Sequence, residues 1–148
     1  CFVLNLLHPD LSLVGKHEDK LRIAGGQNVK TILLDNLEME KSYDTVVEST
    51  GSADGFEMAL KLVRPGGTVV LKSTVAKGRK INLAPLVIDE ITVVGSRCGP
   101  FKPALRALER KIFDVRPLIT GIFTFDRAKE AFEKAEEKGS LKVIIDFR

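Results

Sequence analysis

Cysteine is scarce in this sequence: only Cys1 and Cys98 occur, far apart and without a Cys-x-x-Cys spacing. That excludes a disulfide framework and a thiolate metal knuckle, and it fits a reducing compartment such as the cytoplasm. Charge of one sign is scarce too. Lys plus Arg number 23 against 20 Asp plus Glu, a net +3 spread along the chain. This excludes a polyanion-wrapping surface or a disordered charged tail and makes nucleic acid a poor partner. No apolar run approaches the roughly 18 residues that cross a bilayer, so no membrane association is expected. Repeats, linkers and low-complexity tracts are missing as well, and 148 residues are enough for one domain with a continuous core.

A usual beginning is also missing. The first residue is Cys, and residues 1–7 are apolar without the basic front and small-residue cleavage site of a secretory signal. The expectation is a sequence that starts inside a longer polypeptide.

What is present is alternation. Short runs rich in Val, Ile and Leu are separated by amphipathic stretches, the pattern of β-α-β units. Strands are expected at residues 11–14, 29–34, 43–48, 68–71 and 91–95, with extended pieces at 81–83 and 119–125 and a closing strand at 141–147. Lys77-Gly78 reads as a turn. A helix at 17–24 has Glu18 and Asp19 in its first turn, where acidic groups suit the dipole, and ends at Gly25-Gly26. Ala53, Phe56, Ala59, Leu60 and Val63 recur at helical spacing and define a buried stripe, broken by Pro65-Gly66-Gly67. Pro103 suits the first turn of a helix whose Leu105, Leu108 and Ile112 face inward. Asp126 offers a cap for a last helix with an apolar stripe of Ala128, Ala131, Phe132 and Ala135, and Gly139 lies just past its end.

Apolar strands separated by helices imply an α/β fold: a doubly wound, mostly parallel sheet covered on both faces, with ligands at the carboxyl ends of its strands. After Val14 stand Gly15, Lys16 and His17. At that point a dinucleotide-binding fold holds the adenosine ribose, with an acid for a free 2′-hydroxyl or a small residue and a cation for a 2′-phosphate. The acid is missing here. Lys16 at the front of a helix makes sense beside a phosphate, although a solvated turn also explains Lys16 and His17. The glycine-rich phosphate turn precedes this point by about 20 residues in such folds, which places it before Cys1. The sheet is therefore expected to lack its first strand and that turn, with residues 1–7 as the tail of the helix that the turn opens.

The ordered series Leu13-Val14-Gly15-Lys16-His17, Asp44-Thr45-Val46-Val47-Glu48-Ser49-Thr50-Gly51, Arg64-Pro65-Gly66-Gly67-Thr68-Val69-Val70, Val94-Gly95-Ser96-Arg97 and Gly139-Ser140-Leu141-Lys142-Val143 resembles the zinc-type, medium-chain alcohol dehydrogenases. The resemblance covers essentially the whole chain and corresponds to that family's Rossmann-type, cofactor-binding half. It implies that Gly15, Lys16 and His17 hold the adenosine end, with NADP(H) favoured over NAD(H). Thr50 and Gly51 would pass beneath the adenine-proximal ribose, Ser73 and Thr74 would lie beside the nicotinamide, Ser96 and Arg97 would flank it, and Lys142 would approach the pyrophosphate. Plainer roles compete: Ser73-Thr74 as a loop cap, Arg97 as a surface ion-pair partner, Lys142 snorkelling from the sheet end.

By the same resemblance, zinc and the catalytic residues belong to a preceding GroES-like domain, and no metal spacing surrounds His8 or the two cysteines. Cys98 reads best as a small buried thiol. The full-length protein is expected to be an NADP(H)-dependent oxidoreductase that moves hydride between nicotinamide and an alcohol or carbonyl, while this chain alone is not expected to turn over. A zinc-free quinone or enoyl reductase relative and a non-catalytic dinucleotide-binding module stay open. The Ile91-Thr92-Val93-Val94 strand, preceded by Leu86-Val87-Ile88, is expected at a sheet edge and open to pairing with a second copy.

Overall fold

The computed structural model describes residues 2–74 and 80–148; Cys1 and the expected turn at Lys77 and Gly78 lie outside the described residues. Helix α1 (Phe2–Leu7) leads into β1 (Ser12–Gly15), α2 (Glu18–Gly25) and β2 (Lys30–Leu33). Then follow β3 (Tyr43–Glu48), α3 (Ala53–Leu62), β4 (Val63–Leu71), α4 (Ala84–Ile88) and β5 (Thr92–Gly95). Helix α5 (Phe101–Glu109), β6 (Ile119–Thr124), α6 (Ala128–Glu136) and β7 (Lys142–Asp146) complete the chain. Every strand pairing among the described residues is parallel, as the alternating pattern requires: β1 with β2, β3-β4-β5 in that order, and β6 with β7. The α/β class with parallel strands is the one expected, carried among the described residues by three small sheets. The chain divides into two compact units, residues 38–100 and residues 1–37 with 101–148.

Unit 38–100 is organised by α3. Ser52 caps this helix by accepting the Gly55 N–H at 3.1 Å, which satisfies one of the amides a helix leaves open at its start. The expected stripe holds: Ala53, Ala59 and Leu60 are buried, Phe56 is partly buried, and the buried face continues to Leu62 and Val63. Val63 and Val69 of β4 are fully buried and share a core with Ala59, Leu60 and Ile91. The pairing of β3 with β4 shifts between Tyr43↔Val63 and Thr45↔Thr68, so β4 carries an irregularity where Pro65-Gly66-Gly67 sits. Gly66 takes φ 71°, the left-handed region that glycine adopts freely. A Cβ on Gly67 would lie 2.8 Å from the Arg64 carbonyl and 2.9 Å from that of Asp44, so a side chain there would push two strands apart.

Two expectations fail in this unit. The extended piece expected at 81–83 already turns helical at Leu83, the cap position of α4 at φ −91°, ψ −5°, with Pro85 in the first turn of that helix. Full coverage of the sheet also fails at β5, whose four residues are all exposed. The expected edge position holds, since β5 is the last strand of its sheet.

In the other unit α2 packs on β1 and β2 and buries Leu21 and Ala24, with Val29 buried just before β2. Glu18 and Asp19 occupy the first turn, and Gly26 follows the helix with its N–H on the Arg22 carbonyl at 2.9 Å. The Gln27 amide pairs with the Asp114 backbone in both directions and ties the α2–β2 connection to the segment after α5. Helix α5 carries Pro103 within its first turn, as expected, but Leu105, Leu108 and Ile112 are exposed and no α5 residue is buried. On α6 only Ala131 is buried, and Phe132 is 69% exposed. Periodicity groups apolar residues on one face; it does not supply the surface that covers them. Asp126 is not the cap of α6 either, because Phe125–Arg127 winds into a 3-10 turn and moves the cap position to Arg127.

Candidate functional site

The carboxyl ends of β3, β4 and β5 bring six of the expected site residues into one unit: Thr50, Gly51, Ser73, Thr74, Ser96 and Arg97. The β3–α3 turn is laced by side-chain hydrogen bonds. Glu48 ends β3 and is buried, and its Oε1 accepts the Thr50 N–H and the Thr50 hydroxyl, both at 2.6 Å. The Thr50 Oγ1 then accepts the Ser52 N–H at 3.1 Å and lies 3.0 Å from the Ser52 hydroxyl. Gly51 stands above this chain at φ 75°, donating its N–H to the Ser73 Oγ at 2.8 Å. No atom lies within 4 Å of the position a Gly51 Cβ would take. The turn thus presents bare, exposed backbone at a strand carboxyl end, where α/β sheets receive ligands, and only glycine keeps it bare and unstrained.

Lys72 ties the next two strand ends together. It directly follows β4, and its Nζ donates to the Arg97 carbonyl at 3.1 Å and lies 3.5 Å from the Ser96 Oγ. The Ser96 N–H donates to the Leu71 carbonyl at 2.9 Å. The Ser73 hydroxyl accepts the Gly51 N–H of the β3–α3 turn, as the competing role of a loop cap requires. Thr74 and Arg97 are exposed. Two cations, Lys72 and Arg97, stand at these strand ends and suit an anionic ligand. Cys98 is exposed, which corrects the expectation of a buried thiol: it lies in the irregular segment after β5, outside the packed core.

Gly15, Lys16, His17 and Lys142 belong to the other unit. Gly15 ends β1, where a Cβ would come 2.9 Å from Leu21 Cδ2, so its smallness also serves the packing of α2. Lys16 is exposed, and His17 takes the cap position of α2 in extended conformation without a side-chain cap bond. Lys142 opens β7 rather than following it, and the carboxyl-end rule does not reach it. A cavity of about 270 Å³ in this unit, lined by Phe2, Asn5, Gln27, Asn28, Lys111 and Asp114 among others, contains none of the expected site residues.

Glu48, Ser52, Gly55 and Lys72 escaped the sequence reading. A lysine directly after the apolar Thr68–Leu71 run was a readable signal for Lys72. Nothing in the spacing signals the burial of Glu48. Among the described residues no three His, Cys, Asp or Glu side chains gather to hold a metal ion, and no helix is long and apolar enough to cross a membrane.

A family model described as zinc-binding dehydrogenase matches residues 27–112, more than half of the chain. The chain belongs to the zinc-binding dehydrogenase family. Mouse sorbitol dehydrogenase is 30% identical over 104 residues, a match that spans 69% of this chain and 29% of that protein. The family's Rossmann-type fold is shared by a zinc-binding dehydrogenase structure from Sinorhizobium meliloti 1021 bound to NADP, with TM-score 0.83, 20% identity, and coverage of 97% of this chain and 47% of that one. It is shared too by a structure described as a short chain alcohol dehydrogenase from Escherichia coli CFT073 complexed with NADH, with TM-score 0.81, 15% identity, and coverage of 99% and 48%. The chain thus spans less than half the length of each of these three relatives.

Proposed function

We propose that this chain is the dinucleotide-binding part of an NADP(H)-dependent oxidoreductase that transfers hydride between nicotinamide and an alcohol or carbonyl substrate. The observation that carries the reading is the Gly51 turn, bare backbone held by Ser73 at a strand carboxyl end, in a chain of the zinc-binding dehydrogenase family. The nicotinamide supplies the redox chemistry when bound, and this chain's part is placement. Gly51 admits the ribose to the backbone, Ser73 and Thr74 with Ser96 and Arg97 orient the ring, and Lys72 fixes the Ser96–Arg97 segment. Fixing the ring turns a chance encounter with substrate into a positioned reaction.

The described residues offer no metal-binding set, so no step is assigned to zinc in this chain. A zinc-bearing, GroES-like catalytic domain upstream completes the enzyme in this reading, in keeping with the 29% of mouse sorbitol dehydrogenase that the match spans. Location in the cytoplasm, inferred from the sparse cysteine, is part of the same proposal.

Preference for NADP(H) rests on Gly15-Lys16-His17, where an acid for the ribose is missing and Lys16 is exposed. Relatives of the same fold carry NADP in one case and NADH in another, so the choice lies in local residues. In a titration of the full-length protein NADPH should bind more tightly than NADH. Lys16→Ala should weaken NADPH about tenfold, the worth of one charge-assisted phosphate contact, and leave NADH unchanged. Tighter binding of NADH, with NADPH indifferent to Lys16→Ala, would refute the preference.

A homodimer through β5 belongs to the same proposal. This strand ends its sheet with all four residues exposed, and Val87 and Ile88 of the preceding helix are exposed as well. A second copy pairing there would cover an apolar edge. Light scattering of the full-length protein at micromolar concentration should return a dimer; a monomer would remove this assembly.

A further inference from the structure

We propose that Glu48 is a positioning residue for the cofactor: its buried carboxylate sets the shape of the turn on which the dinucleotide rests. This rests on the dinucleotide-binding reading and adds to it a residue that touches no ligand. A carboxylate only accepts hydrogen bonds. Oε1 accepts both the N–H and the hydroxyl of Thr50, so the single hydroxyl proton of Thr50 is committed to Glu48. The Thr50 oxygen is then left to accept, which it does from the Ser52 N–H and, with the direction now fixed, from the Ser52 hydroxyl. The Ser52 oxygen in turn accepts the Gly55 N–H. One buried acceptor thus orders the donors of Thr50, Ser52 and Gly55, and Gly51 is held between Thr50 and Ser52 with its N–H turned to Ser73.

Gly55 points the same way independently. A Cβ there would lie 2.0 Å from Thr50 Oγ1 and 2.7 Å from Glu48 Oε1. The helix can pack against the carboxylate and its threonine only because position 55 has no side chain. The first turn of α3 also brings the positive end of a helix dipole toward a buried negative group. Burying a carboxylate is costly, and a plain strand end would be served by an apolar residue.

The test is a titration of the full-length protein with whichever of NADPH and NADH the wild type binds more tightly, together with KM, kcat and thermal unfolding. Glu48→Ala should weaken binding about 25-fold, two hydrogen bonds at about fivefold each, and should raise KM for the cofactor more than it lowers kcat. Glu48→Gln, which still offers one oxygen to Thr50, should bind within about twofold of wild type. Gly55→Ala, which leaves the carboxylate but displaces Thr50, should weaken binding as Glu48→Ala does. If Glu48→Ala does not fold, Thr50→Val carries the test through a loss of about fivefold for one hydrogen bond. Wild-type affinity in Glu48→Ala or Thr50→Val, or a Glu48→Gln variant as weak as Glu48→Ala, overturns the role of Glu48. A wild type that binds neither dinucleotide overturns the proposed function itself, a result no Glu48 variant can mimic.

Discussion

Helices α3 and α5 are nearly the same length, yet α3 buries Ala53, Gly55, Ala59, Leu60 and Leu62 while α5 buries nothing. The contrast extends to their units. Residues 38–100 close a core around the fully buried Val63 and Val69. Across β6, β7 and α6, by contrast, Ala131 is the single buried hydrophobic among the described residues, and the Phe125–Phe147 ring pair, centroids 5.2 Å apart, is exposed at 64% and 77%. Amphipathic periodicity is present in both helices, so it does not make the difference. In α3 the next strand follows the helix directly and the third packs beside it, so the apolar stripe finds its cover within 40 residues of chain. In α5 the stripe finds no such neighbour among the described residues of its own unit.

Substitution should expose that asymmetry. Leu60→Ala opens a cavity in a closed core and should cost about 2–4 kcal/mol of unfolding free energy, read from denaturant midpoints of the full chain. Leu105→Ala on α5, the same change in chemistry at a residue 43% exposed, should cost less than about 1 kcal/mol. Equal costs would erase the distinction between the two units. Between these extremes lies Gly67→Ala. Its Cβ meets backbone oxygens on both β3 and β4, which cannot swing aside as a side chain can, and a loss of about 1–3 kcal/mol is expected.

The same division explains what could be read in advance. Tyr43–Glu48 and Ala53–Leu62 stand in the structure within a residue of where β-branched runs and helical spacing put them, because both signals are local and their partners are near in the chain. Ala84–Ile88 was missed: Val87 and Ile88 favour strand, and the countersignal, Pro85 in a first turn, is weaker than two β-branched residues. At the site, the strand-end rule directs attention to the residues after each strand, and it was the family resemblance that singled out Gly51, Ser73, Ser96 and Arg97 among them; the structure brings all four to strand ends of one unit. Glu48 was not. An acid at the end of a strand reads as solvated, and its burial comes from the close approach of α3 at Gly55, a three-dimensional fact that no spacing encodes.

The smallest effect expected lies in the charges of the more open unit. Asp114, Glu130 and Asp146 are each held below the usual carboxylate range by hydrogen bonds from Arg116, Arg127 and Arg148 respectively. Asp114 is lowered to about 2, first by the Arg116 side chain and then by the Arg116 backbone N–H. A carboxylate whose folded value is depressed stabilises the fold above its ordinary pKa, and that contribution is lost as pH falls through the folded value. The window for Asp114 therefore runs from about 4 down to about 2, and neutral pH lies well above it. Yet each partner is only two or three residues away, so part of every pair persists in the unfolded chain, and exposed pairs of this kind are worth little. Arg116→Ala should return the Asp114 titration, followed by NMR, toward the ordinary aspartate range, while the thermal midpoint at pH 7 stays put. A clear drop in that midpoint would mean that this surface pair helps close the unit that the buried residues leave open.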